Sequence, residues 1–401
     1  MSYLVIKFIS FLVLVRKKEM FNTRQMKTKA MLLLPLFMAF GCNGNARNSG
    51  QQGEGDSTAV DTVEHRVTLL FGGDLMQHDG QIKAARMADG TYNYDDVFAR
   101  VKDEISEADL AIANFEVTLG GAPYKGYPQF CAPDEYLNAS LDAGFDILLT
   151  ANNHCVDTRE RGLRRTIDMM DSLKVPHLGT YKNAEERAKK YPFIIERDGI
   201  RICLLNFTYG TNGIPVPAPF KVNMEDTVEI ARDLARAREL KPDVIIAFPH
   251  WGIEYVQQPN KQQRALVAWL LAHGVDHVIG GHPHVVQPFE VEERNDGKHL
   301  VVYSLGNFVS NMTKPNTDGG AMVRMTLTKK NGKTQMTDCD YSLFWVSRPA
   351  TSGKKNFRIF PLSYPIDELN AAERSLRQRY INTTGTMLEK YCKGIKERVK
   401  K

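Results

Sequence analysis

The chain has 401 residues, 43% of them hydrophobic and 25% charged, which is apolar material enough for one large domain or two ordinary ones and excludes a disordered protein. Its formal charge of +5 misleads, because the first 41 residues carry the surplus of Lys and Arg and leave the rest close to neutral, without the basic footprint of a nucleic-acid binder. Six cysteines with no CxxC and no close pairs exclude a zinc ribbon or a disulfide-dense scaffold.

The leader comes first. Residues 26–41 run from a basic start through an apolar stretch too short to span a bilayer, and small residues Ala39 and Gly41 precede Cys42. That is the layout of a bacterial lipoprotein signal, with Cys42 lipidated and becoming the mature N-terminus. The expected location is the cell envelope, anchored to a membrane through that lipid, with the outer membrane favoured over the inner because Asn43 supplies no aspartate-type retention cue. Residues 42–65, rich in Gly, Asn, Gln and Ser, read as a flexible tether. A folded domain is expected over 66–365 and a C-terminal helix over 366–401.

Within the domain one pattern recurs: a short apolar run, often β-branched, that ends in polar residues. Val67–Phe71 stops at Gly72-Gly73-Asp74, Leu110–Ala113 at Asn114-Phe115-Glu116, and Phe145–Ala151 at Asn152-Asn153-His154. Val244–Phe248 stops at Pro249-His250-Trp251-Gly252, Val275–Ile279 at Gly280-Gly281-His282-Pro283-His284, and Leu300–Tyr303 at Ser304-Leu305-Gly306-Asn307. Such runs suit strands covered on both faces. Helical spacing fills the gaps over 95–108, 161–173, 227–240 and 261–273. Residues 191–209 read as a hairpin turning at Arg197-Asp198-Gly199, and 320–328 with 335–345 as a closing antiparallel pair. The fold class is α/β with a mixed sheet.

In open α/β sheets ligands bind beyond the carboxyl ends of the strands. Here those ends carry Asp74, Glu116, Asn153, His154, His250, His282 and His284. Imidazole with carboxylate suits zinc, manganese or iron, and so many donors exceed the need of one tetrahedral ion. Two divalent ions sharing a carboxylate would use them better, an arrangement that serves hydrolysis at phosphorus or at a carbonyl.

Gly73-Asp74, Asn114-Phe115-Glu116, Ala151-Asn152-Asn153-His154, His250-Trp251-Gly252, Gly281-His282-Pro283-His284 and Ser304-Leu305-Gly306-Asn307-Phe308, in that order, resemble the capsule-synthesis CapA family, a branch related to the calcineurin-like metallophosphoesterases. The resemblance spans roughly Val67 to Asn311. It implies a metallophosphoesterase-like αββα sandwich with mixed sheets. It also implies Asp74 and His284 on a first metal, Glu116 as the bridge, Asn153, His250 and His282 on a second, and His154 as the catalytic residue beside them. Manganese, zinc or iron would be the metal, and one or two ions would be held. The implied activity is a lipid-anchored, extracytoplasmic hydrolase acting on a phosphoester or an anionic envelope polymer in capsule biosynthesis. A non-catalytic polymer-binding or export component and a γ-glutamyl amidase or transferase are the alternatives.

One motif departs. The phosphoesterase pattern has Asp-x-His where this chain has Asp74-Leu75-Met76, so the first metal lacks a ligand. His78 is expected either to replace it or to bind substrate, and Asn307 either to reach substrate or to close a turn. His282→Ala is therefore expected to release more tightly bound metal than His284→Ala. Trp251 reads as packing, and a Cys131–Cys155 disulfide is open in an oxidising compartment.

Overall fold

Strand β1 (His65–Leu75) is the axis of the fold, and its alternation shows why. Val67, Leu69 and Phe71 point into one apolar layer and Leu70 into another, so the strand is covered on both sides. The computed structural model describes residues 63–398, all within the unit Ala59–Lys401. The leader, Cys42 and most of the tether lie outside the described residues.

The other strands, in chain order, are β2 (Leu110–Phe115), β3 (Ile147–Leu149), β4 (His177–Leu178), β5 (Thr180–Tyr181), β6 (Phe193–Arg197), β7 (Ile200–Thr208), β8 (Lys221–Val222) and β9 (Val244–His250). There follow β10 (His277–Ile279), β11 (Phe289–Arg294), β12 (Gly297–Val302), β13 (Asn307–Val309), β14 (Gly319–Lys330), β15 (Lys333–Ser347), β16 (Arg358–Pro361) and β17 (Lys396–Glu397). One large sheet runs β16-β15-β14-β1-β2-β3-β4, with β13 on β1 and β17 on β15; the other large sheet runs β11-β12-β10-β9-β7-β6, and β5 pairs with β8 in a separate two-stranded sheet. Both large sheets are mixed. β1 to β4 are parallel, as are β7, β9, β10 and β12, whereas β14, β15, β16, β6 and β11 join antiparallel.

The two sheets bury their facing sides together. Val67, Leu69, Phe71 and Ile112 of the first share a core with Leu204, Ile246 and Val301 of the second. Helices cover the outer faces: Val97, Tyr136 and Met170 pack on the first sheet, Leu234 and Leu270 on the second. The result is the αββα sandwich expected. Each such large apolar side chain contributes about 1.5–3 kcal/mol by leaving water. Both sheets present the carboxyl ends of their parallel strands to the same side, where an isolated bridge from His250 to Gly281 ties β9 to the turn after β10.

Several local expectations shift. β1 does not stop at Gly72 but continues to Leu75 through a register shift between Gly72 and Asp74. A Cβ on Gly73 would stand 1.9 Å from the Gly306 carbonyl oxygen, so only glycine lets β1 lie against that segment. The helix expected over 95–108 is two short ones, Asp95–Phe98 and Lys102–Ser106. The hairpin turn at Asp198-Gly199 is as expected, both residues having positive φ. The C-terminal stretch is more than one helix: Ala371–Tyr380 passes through a π turn into Thr386–Tyr391, and β17 then returns to pair with β15. Cys131 and Cys155 are both free thiols, so they form no disulfide with each other. No helix among the described residues is long and apolar enough to cross a membrane.

Candidate metal centre

The strand ends deliver their polar residues to one buried place. Asp74, Glu116 and His284 are fully buried, and Asn153, His250 and His282 nearly so. Asp74 lies at the end of β1, Glu116 one residue past β2, and His250 ends β9. His282 and His284 sit on the turn after β10 with φ of +97° and +59°, values that a side chain with a Cβ rarely adopts. Gly281 leaves room for Asp74, since a Cβ there would stand 3.0 Å from Asp74 Oδ1. The His282 N–H then donates to Asp74 Oδ2 at 3.3 Å.

Two donor groups share Glu116. One joins Glu116, His250 and His282, and the other joins Asp74, Glu116 and His284, each with its ligand atoms within 4.8 Å of one another. Glu116 Oε1 lies 3.6 Å from His250 Nε2 and 3.8 Å from His284 Nε2. Asn153 Oδ1 is 2.8 Å from His250 Nε2, which places it in the first group. The six residues predicted as ligands are thus brought to one buried place.

The donor set fits divalent cations on a specific observation. Glu116 Oε1, His282 Nδ1 and His284 Nε2 are all buried and have no hydrogen-bond partner. A buried polar atom left unpaired costs roughly 1–3 kcal/mol. His284 Nε2 lies 3.8 Å from Glu116 Oε1, and His282 belongs to the group of Glu116 and His250, so cations held by the two groups would supply the missing partners. The remaining atoms are held by partners: Asn114 Nδ2 donates to Asp74 Oδ1 at 2.8 Å and Glu116 Oε2 at 2.9 Å, and Asn152 Nδ2 donates to Asn114 Oδ1 at 3.1 Å. These amides fix which carboxylate oxygens face the gap.

Electrostatics divides the histidines. For His284, burial pulls the pKa down, but the charges of Glu116 and Asp74 and a hydrogen bond to Asp74 outweigh it and bring the imidazole up to about 9. His282 is held well below its ordinary value by burial first and then by the neighbouring His250, His284 and His154. Burial would raise Asp74, yet its bond to His284 and the nearby imidazoles lower it.

His154 stands beside this group. Its Nδ1 lies 2.7 Å from Asp157 Oδ2, and the edge of Phe130 packs on its ring at 4.6 Å. Asp157 fixes the ring and leaves Nε2 as the nitrogen free for proton transfer. The sequence reading missed Asp157, although its place three residues after a candidate catalytic histidine was a usable signal. It also assigned no role to Asn114 and Asn152, and none to Glu254, which joins His282 and His284 in a third donor group.

The structure decides three further positions. Met76 does not face the centre: it is fully buried in the apolar layer of Val97 and Tyr136. His78 joins none of the donor groups found among the described residues; it precedes the helix Asp79–Ala85, with Nδ1 near Gln81 Oε1 and the Asn311 N–H, and its ring packs on Phe130. Asn307 cannot reach substrate, since it is fully buried; its Oδ1 lies 3.0 Å from His284 Nδ1 while its amide donates to Ser310 and Thr317. It closes that turn and orients His284. Trp251 is packing as expected, donating to the Tyr303 carbonyl at 2.9 Å.

Comparison with known proteins agrees on the family. The family described as "Bacterial capsule synthesis protein PGA_cap" matches residues 68–312. The capsule biosynthesis protein CapA of Bacillus anthracis is 29% identical over 294 residues, covering 68% of each chain. The PGA biosynthesis protein CapA of Bacillus subtilis is 27% identical over 290 residues, covering 70% of this chain and 73% of that one. Among solved structures, the calcineurin-like phosphoesterase YfkN of Bacillus subtilis superposes with a TM-score of 0.40 at 15% identity, over 81% of this chain and 99% of that one. With its match extending over more than half of its length, the chain belongs to the bacterial capsule synthesis PGA_cap family.

Proposed function

We propose that this protein is a metal-dependent hydrolase acting on a phosphoester, or on a related bond of an anionic envelope polymer, during capsule biosynthesis. The observation that carries the reading is a pair of buried donor groups that share Glu116, whose members include three atoms without a hydrogen-bond partner, Glu116 Oε1, His282 Nδ1 and His284 Nε2. Asp74, Glu116 and His284 would hold one divalent ion, and Glu116, Asn153, His250 and His282 a second; manganese, zinc and iron all suit the donors. Bound there, such ions supply Lewis acidity toward a phosphoryl or carbonyl oxygen.

The chain's own residues do the rest. Asn114 and Asn152 lock the carboxylates. Asp157 holds His154 so that Nε2 can pass a proton to a departing oxygen or nitrogen. Tyr209, its ring 4.6 Å from that of His282, and Tyr255, 6.2 Å from that of His284, are both exposed and would offer apolar faces to a substrate. Family membership supports a role in capsule polymer metabolism, and the leader supports anchoring at Cys42 on the extracytoplasmic side, outer membrane favoured.

The test is metal analysis with a phosphodiesterase and phosphatase screen on wild type, His154→Ala and His282→Ala. Turnover should fall about 10²–10³-fold in His154→Ala with metal retained, whereas His282→Ala should lose both metal and turnover. Metal-free wild type that binds capsule polymer without turnover would replace this reading with a scaffold role.

A further inference from the structure

Glu254 lies between β9 and the following helix, Lys261–Ala272, on a loop absent from the predicted ligand set. Its carboxylate, His282 and His284 each offer a ligand atom, all within 4.8 Å of one another. The two imidazole atoms without hydrogen-bond partners, His282 Nδ1 and His284 Nε2, belong to residues that are 3% and 0% exposed.

The backbone around Glu254 is fixed to the turn that carries those histidines. Gly252, at φ +92°, turns the chain beside Gln263, where a Cβ would come within 2.8 Å of the Gln263 side chain. The Tyr255 N–H, one residue beyond Glu254, donates at 2.8 Å to the carbonyl of Pro283, the residue between the two histidines. The Val256 carbonyl accepts from Gln287 Nε2 at 2.8 Å, and Gln287 Oε1 in turn accepts from Gln263 Nε2 at 2.9 Å. Loop and turn therefore form one hydrogen-bonded unit, and Glu254 is held at the histidines by backbone on its C-terminal side. His78, the other candidate to replace the missing imidazole, is committed to Gln81 and Asn311 and belongs to no donor group among the described residues.

We infer that Glu254 is a ligand of the centre, entering from the side that His282 and His284 share, and assign it to the ion of His284, the one whose motif has Met76 in place of a donor. The inference rests on the metal-centre reading above. A third carboxylate offsets more of the charge of two dications than Asp74 and Glu116 alone, and its oxygen is a harder donor than imidazole, which tilts the first position toward manganese or iron over zinc.

The experiment uses the 401-residue chain stripped with chelator and titrated with manganese(II) alone, followed by calorimetry and by the electron paramagnetic resonance of coupled ions. Wild type, Glu254→Gln and His78→Ala are compared. Glu254→Gln should weaken one ion by about 10- to 100-fold, the range seen when a group supporting a metal site is removed, and abolish the coupled signal. His78→Ala should bind as wild type. The metal-free Glu254→Gln protein should unfold at the wild-type temperature. Wild-type binding by Glu254→Gln, or the same loss in His78→Ala, overturns the inference, as does a lowered melting temperature of metal-free Glu254→Gln, which would assign the loss to the loop's folding. Wild type that takes up no manganese overturns the metal-centre reading itself.

Discussion

Strand β10 has a pair of buried histidines at each end, and the two pairs are built in opposite ways. At the start of the strand His277 accepts the Leu300 N–H at Nδ1, and its neighbour His299 has both nitrogens engaged, Nδ1 with the Asp276 carbonyl at 2.8 Å and Nε2 with Asp296 at 2.9 Å. Beyond the end of the strand, His282 Nδ1 and His284 Nε2 are buried with no such partner, and the nearest acidic groups are the carboxylates of Glu116, Asp74 and Glu254. Burial of histidine is common to both pairs and so identifies nothing. What sets His282 and His284 apart is an unsatisfied nitrogen near a carboxylate, Glu116, that is itself unsatisfied at Oε1.

The largest effect should follow from removing the residue that both donor groups share. Glu116→Gln keeps the size and the bond from Asn114 but takes away the charge, so both ions should weaken by at least ~100-fold and turnover should vanish with them. Metal content by mass spectrometry decides; a variant that keeps two tightly bound ions would mean that Glu116 does not bridge. Next come the two histidines themselves. His282→Ala should cost more tightly bound metal than His284→Ala, because Asp74 and Glu254 remain at the position His284 serves. In a Glu254→Gln background the loss on removing His284 should grow. Equal losses in every background would count against dividing the pair between two ions.

The strand ends were legible because central strands buried on both faces must be continuous apolar runs, and the polar residue that ends each run is where the chain meets the site. That placed Asp74, Glu116, His154, His250, His282 and His284 correctly at one edge. Three kinds of fact were hidden. Met76 sits where a pattern expects a ligand, and only packing shows its thioether committed to the layer of Val97 and Tyr136. Glu254 reaches the histidines only because Gly252 turns the loop and Tyr255 bonds to Pro283, contacts that join residues about 30 apart. The break at 99–101 within the predicted helix of 95–108 interrupts a smooth apolar spacing, and we have no physical account of it from the local residues. Asn307 was placed at the right edge with two roles open, since an amide that closes a turn and one that bonds substrate have the same sequence signature; its bonds to Ser310, Thr317 and His284 decide for the turn.

The acid response of the fold sharpens the contrast from the other end of the strand. Burial first, and the charge of His299 second, bring His277 from its ordinary 6.5 down to about 3. Below pH 6.5 the unfolded chain takes up a proton that the folded chain refuses, so this contribution is fully present above that pH and is lost progressively toward pH 3. Between pH 6.5 and 5 the loss should be roughly 2 kcal/mol. Urea unfolding of wild type and His277→Gln at the two pH values measures it, the variant showing the shallower dependence. Identical slopes would remove His277 as the cause.

The smallest effect belongs to His299, and it is the cleanest control for the whole distinction. Its contact with Asp296 involves a carboxylate that is 73% exposed, so that pair adds little in water. The bond from Nδ1 to the Asp276 carbonyl is the part with an energetic consequence, about 1 kcal/mol. His299→Gln should therefore lower unfolding free energy by about that much and leave metal content, manganese affinity and turnover at wild-type values. A histidine equally buried, on the neighbouring strand and with both nitrogens occupied, would then be shown to have nothing to do with the centre. Metal lost on this substitution would mean that the two ends of β10 are coupled through the sheet, and partner occupancy would no longer separate core histidines from ligands.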